Sequence, residues 1–244
     1  MLCTVMIPTR GRSQHLENLI ENIFNSVSDT NNIEIVFRCD DDDTETINFL
    51  KEKVSDSDKV RMIVGPRGLG YSELHVFYNQ ICESSDAEWF FLFNDDAILN
   101  KTDWDVPLAE IKDVVVLQPM TTNGRGWQEG NIFPIMHRKI YETLGHFSVC
   151  NMNDCYVSNV ANRVDLEKRI DFIEVVHIRD AWHDQTAQES ALFQAKQFQS
   201  FSDCMKENLP IDVEKLRNSD LVSQILPDSY ILNLDHPGLK PTQP

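Results

Sequence analysis

Four times in the first hundred residues an apolar run stops abruptly on polar or charged residues: CTVMIP (3–8), IEIVF (33–37), VRMIV (60–64) and WFFLF (89–93). Between these runs, apolar residues recur at helical spacing. Leu16, Leu19, Ile20, Ile23, Phe24 and Val27 make one amphipathic stripe, and Ile47, Leu50 and Val54 mark a second, with Asp43 or Thr44 placed to cap it. A third, Leu74, Phe77, Tyr78, Ile81 and Cys82, follows the turn GPRGLG (65–70), with Ser72 as its candidate cap. Strands alternating with such helices specify parallel neighbours, because a parallel pair needs a crossover connection and the helices then cover both sheet faces. The expected fold is α/β, with a mostly parallel, Rossmann-like central sheet. WFFLF fits a strand buried on both faces, where hydrophobicity is continuous rather than alternating.

That topology says where chemistry belongs. Parallel strands align their C-terminal ends along one edge, and ligands of open α/β sheets bind in the crevice outside it. Thr9-Arg10, Asp40-Asp41, Arg67-Gly68 and Asn94-Asp95-Asp96 should therefore converge. Neighbouring carboxylates there call for a cation, and Mg2+ or Mn2+ binds through one or two carboxylates plus substrate phosphate and water. Arg10, Arg12 and Arg67 can meet phosphate with bidentate geometry. The glycines of GPRGLG match neither a dinucleotide fingerprint nor a Walker loop.

With 22 Lys plus Arg against 39 Asp plus Glu, the net charge is −17, a field that repels nucleic acid and leaves room only for a small nucleotide. No run approaches the ~20 apolar residues of a membrane span, and the start lacks a basic region. The expectation is a soluble, cytoplasmic chain. Six cysteines without a C-x-x-C pair are expected to be reduced, with Cys3, Cys39 and Cys82 serving as small core residues.

At this point TVMIPTRGR (4–12) resembles the first strand of family-2-like glycosyltransferases with the GT-A fold. IEIVFRCDDDD (33–43) is similar to their second strand, and residues 68–99, ending in NDDAIL, to the segment from a glycine-containing loop to the D-x-D metal motif. The resemblance implies a nucleotide-sugar donor, with UDP the favoured carrier, held at the sheet edge with Mn2+ or Mg2+. It implies that Asp40 or Asp41 holds the base or ribose, with Pro8, Thr9, Arg10, Arg67, Gly70, Asn94 and Asp95 completing the donor site. Asn94 stands where the first acid of the motif often stands, so metal binding falls on Asp96.

Past Asn100, VVVLQP (114–119) reads as a further strand. The glycine-rich TTNGRGWQEGN (121–131) follows, in which Trp127 either stacks on a sugar as part of a lid or packs under its own loop. NIFPIMHRKIYETLGHF (131–147) resembles the family's short strand, basic residue and helix, with Arg138 and Lys139 expected on the surface. In CNMNDCYVSNVANR (150–163), Asn153-Asp154 occupies the place of the family's acid pair. That implies Asp154 as the general base toward an acceptor hydroxyl, although a helix N-cap is its simpler reading. His177 and His183 are the candidate histidines that reach the metal.

From Gln185 to Leu226 the chain reads as helical, with Pro210 separating two helices that pack on the domain or form an oligomer contact. The division expected is 1–184 for the GT-A domain, with donor (1–100) and acceptor (101–184) halves, and 185–244 for a helical extension and tail. Two other functions remain open: a sugar-phosphate nucleotidyltransferase, and a non-catalytic glycan-binding module on a degenerate scaffold. The acceptor expected is a glycan or another hydroxyl compound.

Overall fold

The computed structural model of the chain describes residues 1–122, 131–178 and 185–222, of which 185–200 by backbone alone. Trp127, His183 and the C-terminal tail lie outside the described residues.

The first hundred residues form the alternating units that the periodicity requires. β1 (Cys3–Thr9), α1 (Ser13–Asn25), β2 (Ile33–Asp40), α2 (Thr44–Asp56), β3 (Val60–Gly65), α3 (Leu74–Glu83) and β4 (Trp89–Leu92) follow in order. They are succeeded by β5 (Ala97–Leu99), α4 (Asp105–Glu110), β6 (Val116–Thr122), β7 (Ile135–His137), α5 (Arg138–Leu144), α6 (Asn153–Asn162), β8 (Glu167–His177) and α7 (Gln185–Arg217). The sheet order is β3-β2-β1-β4-β7-β6-β8-β5. β1, β2, β3, β4, β6 and β8 run one way, whereas β7 and β5 are antiparallel to their neighbours.

Trp89, Phe90, Phe91 and Phe93 are wholly buried, as a central strand covered on both faces demands. From Phe91 an aromatic chain runs across the molecule in edge-on and tilted contacts: Trp104 at 6.0 Å, Phe93 at 5.2 Å, Phe133 5.6 Å beyond Phe93, and His177 5.6 Å beyond Phe133. Cys3, Cys39 and Cys82 are buried free thiols.

Several expectations are corrected. Arg38 does not end the second strand; β2 continues to Asp40, with Arg38 buried inside it. Ser72 does not cap α3, because a tight turn over Gly70–Glu73 precedes that helix and Glu73 takes the N-cap position. Pro210 does not split the last helix, which passes through it as one 33-residue element. Pro210 is exposed, so water can satisfy the carbonyl that loses its partner. Arg138 is more than a surface charge: it donates to the Ala87 and Ser85 carbonyls at 2.6 and 2.5 Å and lies 4.9 Å from the Phe90 ring. Finally, the cysteines are not all reduced, since Cys150 and Cys204 form a disulfide that α7 makes possible by packing beside α6.

Candidate active site

The ends of β1, β2, β4 and β8, the turn after β3 and the start of α6 enclose a cavity of about 760 Å³. Pro8, Thr9, Arg10, Asp40, Arg67, Gly70, Asn94, Asp95, Asp96, Asp154 and His177 all line it. Asp41 does not: it is exposed and turns its backbone N–H to the Gly65 carbonyl at 2.8 Å.

The four acids after β2 thus divide their work. Asp40 faces the cavity and accepts from Arg10 Nη1 at 3.1 Å and from Arg38 Nη1 at 3.4 Å. Burial raises its carboxyl above the ordinary aspartate value, the arginines offsetting part of that. Asp42 pairs with both terminal nitrogens of Arg10. Asp43 caps α2 through the Thr46 N–H and takes the Gly11 N–H at 2.7 Å, which anchors the turn after β1. Beyond β3, Gly68 has φ +58° and a Cβ there would stand 2.0 Å from Glu73 Oε2, so the tight turn beside Arg67 requires glycine.

Where β4 ends, Asp95 accepts from Thr9 Oγ1 at 2.8 Å and is ion-paired to Arg12. Burial pushes its carboxyl up to about 6, with Arg12 and the Thr9 bond pulling the other way. Asp96 lies 3.8 Å from Arg12 Nη1, and its Oδ1 is 3.1 Å from His177 Nε2. The Ile178 N–H donates to the Asp96 carbonyl at 2.8 Å, so the end of β8 and the acid segment are locked together through backbone as well. Asn94 Oδ1 stands 3.5 Å from the Tyr78 hydroxyl. Asp154, also in the lining, is the second residue of α6, where the helix N-terminus favours an anion. Burial raises its carboxyl, an effect partly offset by backbone N–H bonds and by the His177 ring. Its neighbour Asn153 is 3 % exposed and donates to the Asn151 carbonyl at 3.0 Å.

Three residues carry more of the site than their sequence context suggests. Arg12 ion-pairs with both acids after β4. Tyr78 reaches Asn94 from α3. Arg38, the largest omission, bonds Asp40 from within the core; the signal for it is a charge set inside a β-rich run one residue short of the acids.

Among the described residues no three His, Cys, Asp or Glu side chains cluster as a self-sufficient metal cage. A Mg2+ or Mn2+ site does not need one, since such ions keep waters and substrate phosphate beside one or two protein ligands. Asp96 Oδ1 and His177 Nε2 converge at 3.1 Å, a hard oxygen with an imidazole nitrogen, and that pair fits Mn2+.

Residues 4–171 match the family model described as glycosyl transferase family 2. No sequence among the curated proteins is similar enough to match. Among solved structures, the mannosyltransferase PcManGT from Pyrobaculum calidifontis, in complex with GDP-Man and Mn2+, aligns with TM-score 0.61 at 13% identity, over 88% of this chain and 69% of that one. S. aureus TarS 1–349 in complex with UDP aligns with TM-score 0.57 at 14% identity, over 71% of this chain and 60% of that one. The same TarS segment in complex with UDP-GlcNAc gives 0.55 at 13% identity, over 71% and 58%. This chain thus spans less than two thirds of the TarS segment, and at these identities the likeness is one of fold. With the family model covering most of its length and the GT-A architecture around the cleft, the chain belongs to glycosyl transferase family 2 and is a glycosyltransferase.

Proposed function

We propose that the protein moves a sugar from a uridine-diphosphate sugar to an acceptor hydroxyl, with a divalent cation bound at Asp96 and His177. One observation carries the reading: Asp40, Asp96 and Asp154, from three distant parts of the chain, line a single cavity.

The base follows from hydrogen-bonding patterns. Asp40 is an acceptor, with Arg10 bonded to it and Arg67 in the same cavity lining as donors. The edge of uracil offers an N–H between two carbonyls, which complements an acceptor between donors. Arg12 and the turn after β1 lie where the diphosphate would leave the nucleoside. A cation held by Asp96 and His177 would supply charge stabilisation for the departing diphosphate. Asp154, raised in pKa and facing the cavity, takes the proton as the acceptor hydroxyl attacks the anomeric carbon. One carboxylate acting as base makes this a single displacement, which inverts the anomeric centre.

Thermal-shift measurements with UDP, GDP and CMP, each with and without Mn2+, test the assignment. The expected result is stabilisation by UDP that grows with Mn2+, and loss of the Mn2+ increment in Asp96→Ala. A metal-dependent shift with GDP alone would move the assignment to a guanosine donor. Release of pyrophosphate from a nucleoside triphosphate and a sugar phosphate would overturn glycosyl transfer in favour of nucleotidyl transfer.

A further inference from the structure

Arg38 carries a full charge at 2 % exposure, between the nucleoside end of the cavity and the core. Its guanidinium is held from several directions. Nε donates to Gln80 on α3 at 2.8 Å, Nη2 to the Pro66 carbonyl in the turn after β3 at 2.7 Å, and Nη1 to the Cys39 carbonyl and to Asp40 at 3.4 Å. Its planar face lies 4.2 Å from the Phe77 ring centroid. The backbone makes room for it: a Cβ on Gly65 would stand 2.9 Å from Nη2.

Stability alone does not explain this arrangement. A buried guanidinium carries a large desolvation cost, and a packed apolar side chain of similar volume is commonly as stable or more so. What an apolar side chain cannot do is hold a carboxylate and a loop carbonyl in fixed relation, which the rigid guanidinium fork does. The groups Arg38 joins are those around Asp40: strand β2, the turn that leads into Arg67, and helix α3. It has no bond to Asp95, Asp96 or Asp154.

We propose that Arg38 is a positioning residue for the nucleoside end of the donor. It sets the Asp40 carboxylate and the Arg67–Gly70 turn at one spacing, so that both engage the nucleoside together. The inference rests on the reading of the cavity as a nucleoside-diphosphate site. It goes further in separating recognition of the nucleoside, which depends on Arg38, from binding of the diphosphate, which does not.

The test is calorimetric titration of the full chain, in Mn2+, with UDP and separately with inorganic pyrophosphate. Wild type is compared with Arg38→Met, Arg38→Lys and Gly65→Ala; the last keeps the arginine and crowds its Nη2. Losing hydrogen bonds of a buried charged group predicts UDP binding weaker by about tenfold or more in Arg38→Met and Gly65→Ala. Arg38→Lys should fall between, because lysine keeps the charge without the fork. Pyrophosphate affinity should stay within about twofold, a change too small to register one lost hydrogen bond. In steady state the donor KM should rise while kcat at saturating donor holds. Variants that bind UDP as wild type does overturn the inference, as does an equal loss for UDP and pyrophosphate. If Arg38→Met fails to fold, Gly65→Ala and Arg38→Lys decide. A wild-type chain that binds no nucleoside diphosphate overturns the donor reading and this one with it.

Discussion

Asp154 meets the cavity one residue inside α6, and burial raises its carboxyl toward the range where a base is useful. Because the shift is upward, the acidic limb of the kcat profile should fall at a pH above the ordinary aspartate value of ~3.9. Asp154→Asn should lower kcat by roughly 10²–10⁴ while UDP binding is retained. The same sign governs stability: a carboxyl that folding makes harder to ionise is a burden when charged. Asp154→Asn should therefore melt no lower than wild type at neutral pH; a clear drop in Tm would identify Asp154 as a structural cap. His177 depends on what holds its ring. Phe133 packs edge-on against it at 5.6 Å, so Phe133→Leu should diminish the Mn2+ increment in a UDP thermal shift, whereas Phe133 as mere core filler would leave the increment intact. At this scale the acids after β2 and β4 were legible because they end apolar runs. Which acid faces inward was not, because Asp40, Asp41, Asp42 and Asp43 differ in partners that come from β1, β3 and α2.

The last helix shows how one element is secured by residues far apart in the chain. Asp212 on α7, with its side chain 3 % exposed, accepts from the Tyr156 hydroxyl of α6, lies 3.0 Å from His146 Nε2 and 3.1 Å from Lys215 Nζ. Burial alone would raise its carboxyl; the His146 and Tyr156 hydrogen bonds outweigh it, and the net shift is downward. A lowered aspartate contributes stability that is present above its unfolded value of ~3.9 and is lost as pH falls through the depressed folded value. Asp212→Ala should cost about 3 kcal/mol in denaturant melts at neutral pH and flatten the acid end of the stability profile. The Cys150–Cys204 disulfide, with a sequence separation of 54, fastens the same helix to the segment leading into Asn151 and Asp154. Reduction, or Cys204→Ser, should lower stability by about 2–4 kcal/mol; an unchanged melt after dithiothreitol would argue that the bond contributes nothing. The helix itself was readable from its apolar spacing. Its anchoring was not, since no local pattern links Cys150 to Cys204 or Tyr156 to Asp212.

For the whole molecule, the apolar residues of α7 belong to the same core as the sheet: Phe201, Leu209, Val213 and Leu216 are buried with it. We therefore expect residues 1–184 alone to lose the cooperative thermal transition of the longer chain, so that the boundary near 184 would separate roles rather than folding units. A sharp, wild-type-like melt of the shortened chain would sink that expectation. The chain is strongly acidic, yet Arg10, Arg12, Arg38 and Arg67 all line the cavity, so the cleft carries positive charge that suits an anionic ligand. By itself the sequence determined the alternating half of the sheet and the edge on which its polar ends meet, because period and strand-end chemistry are local properties. Tertiary structure alone decided that Arg38 is a buried strut and that α7 is bonded to α6, whereas His177 and Asp154 were named only through the family resemblance before the fold brought them to the cavity. Each of those depends on which surfaces meet after long stretches of chain, and no local spacing encodes that.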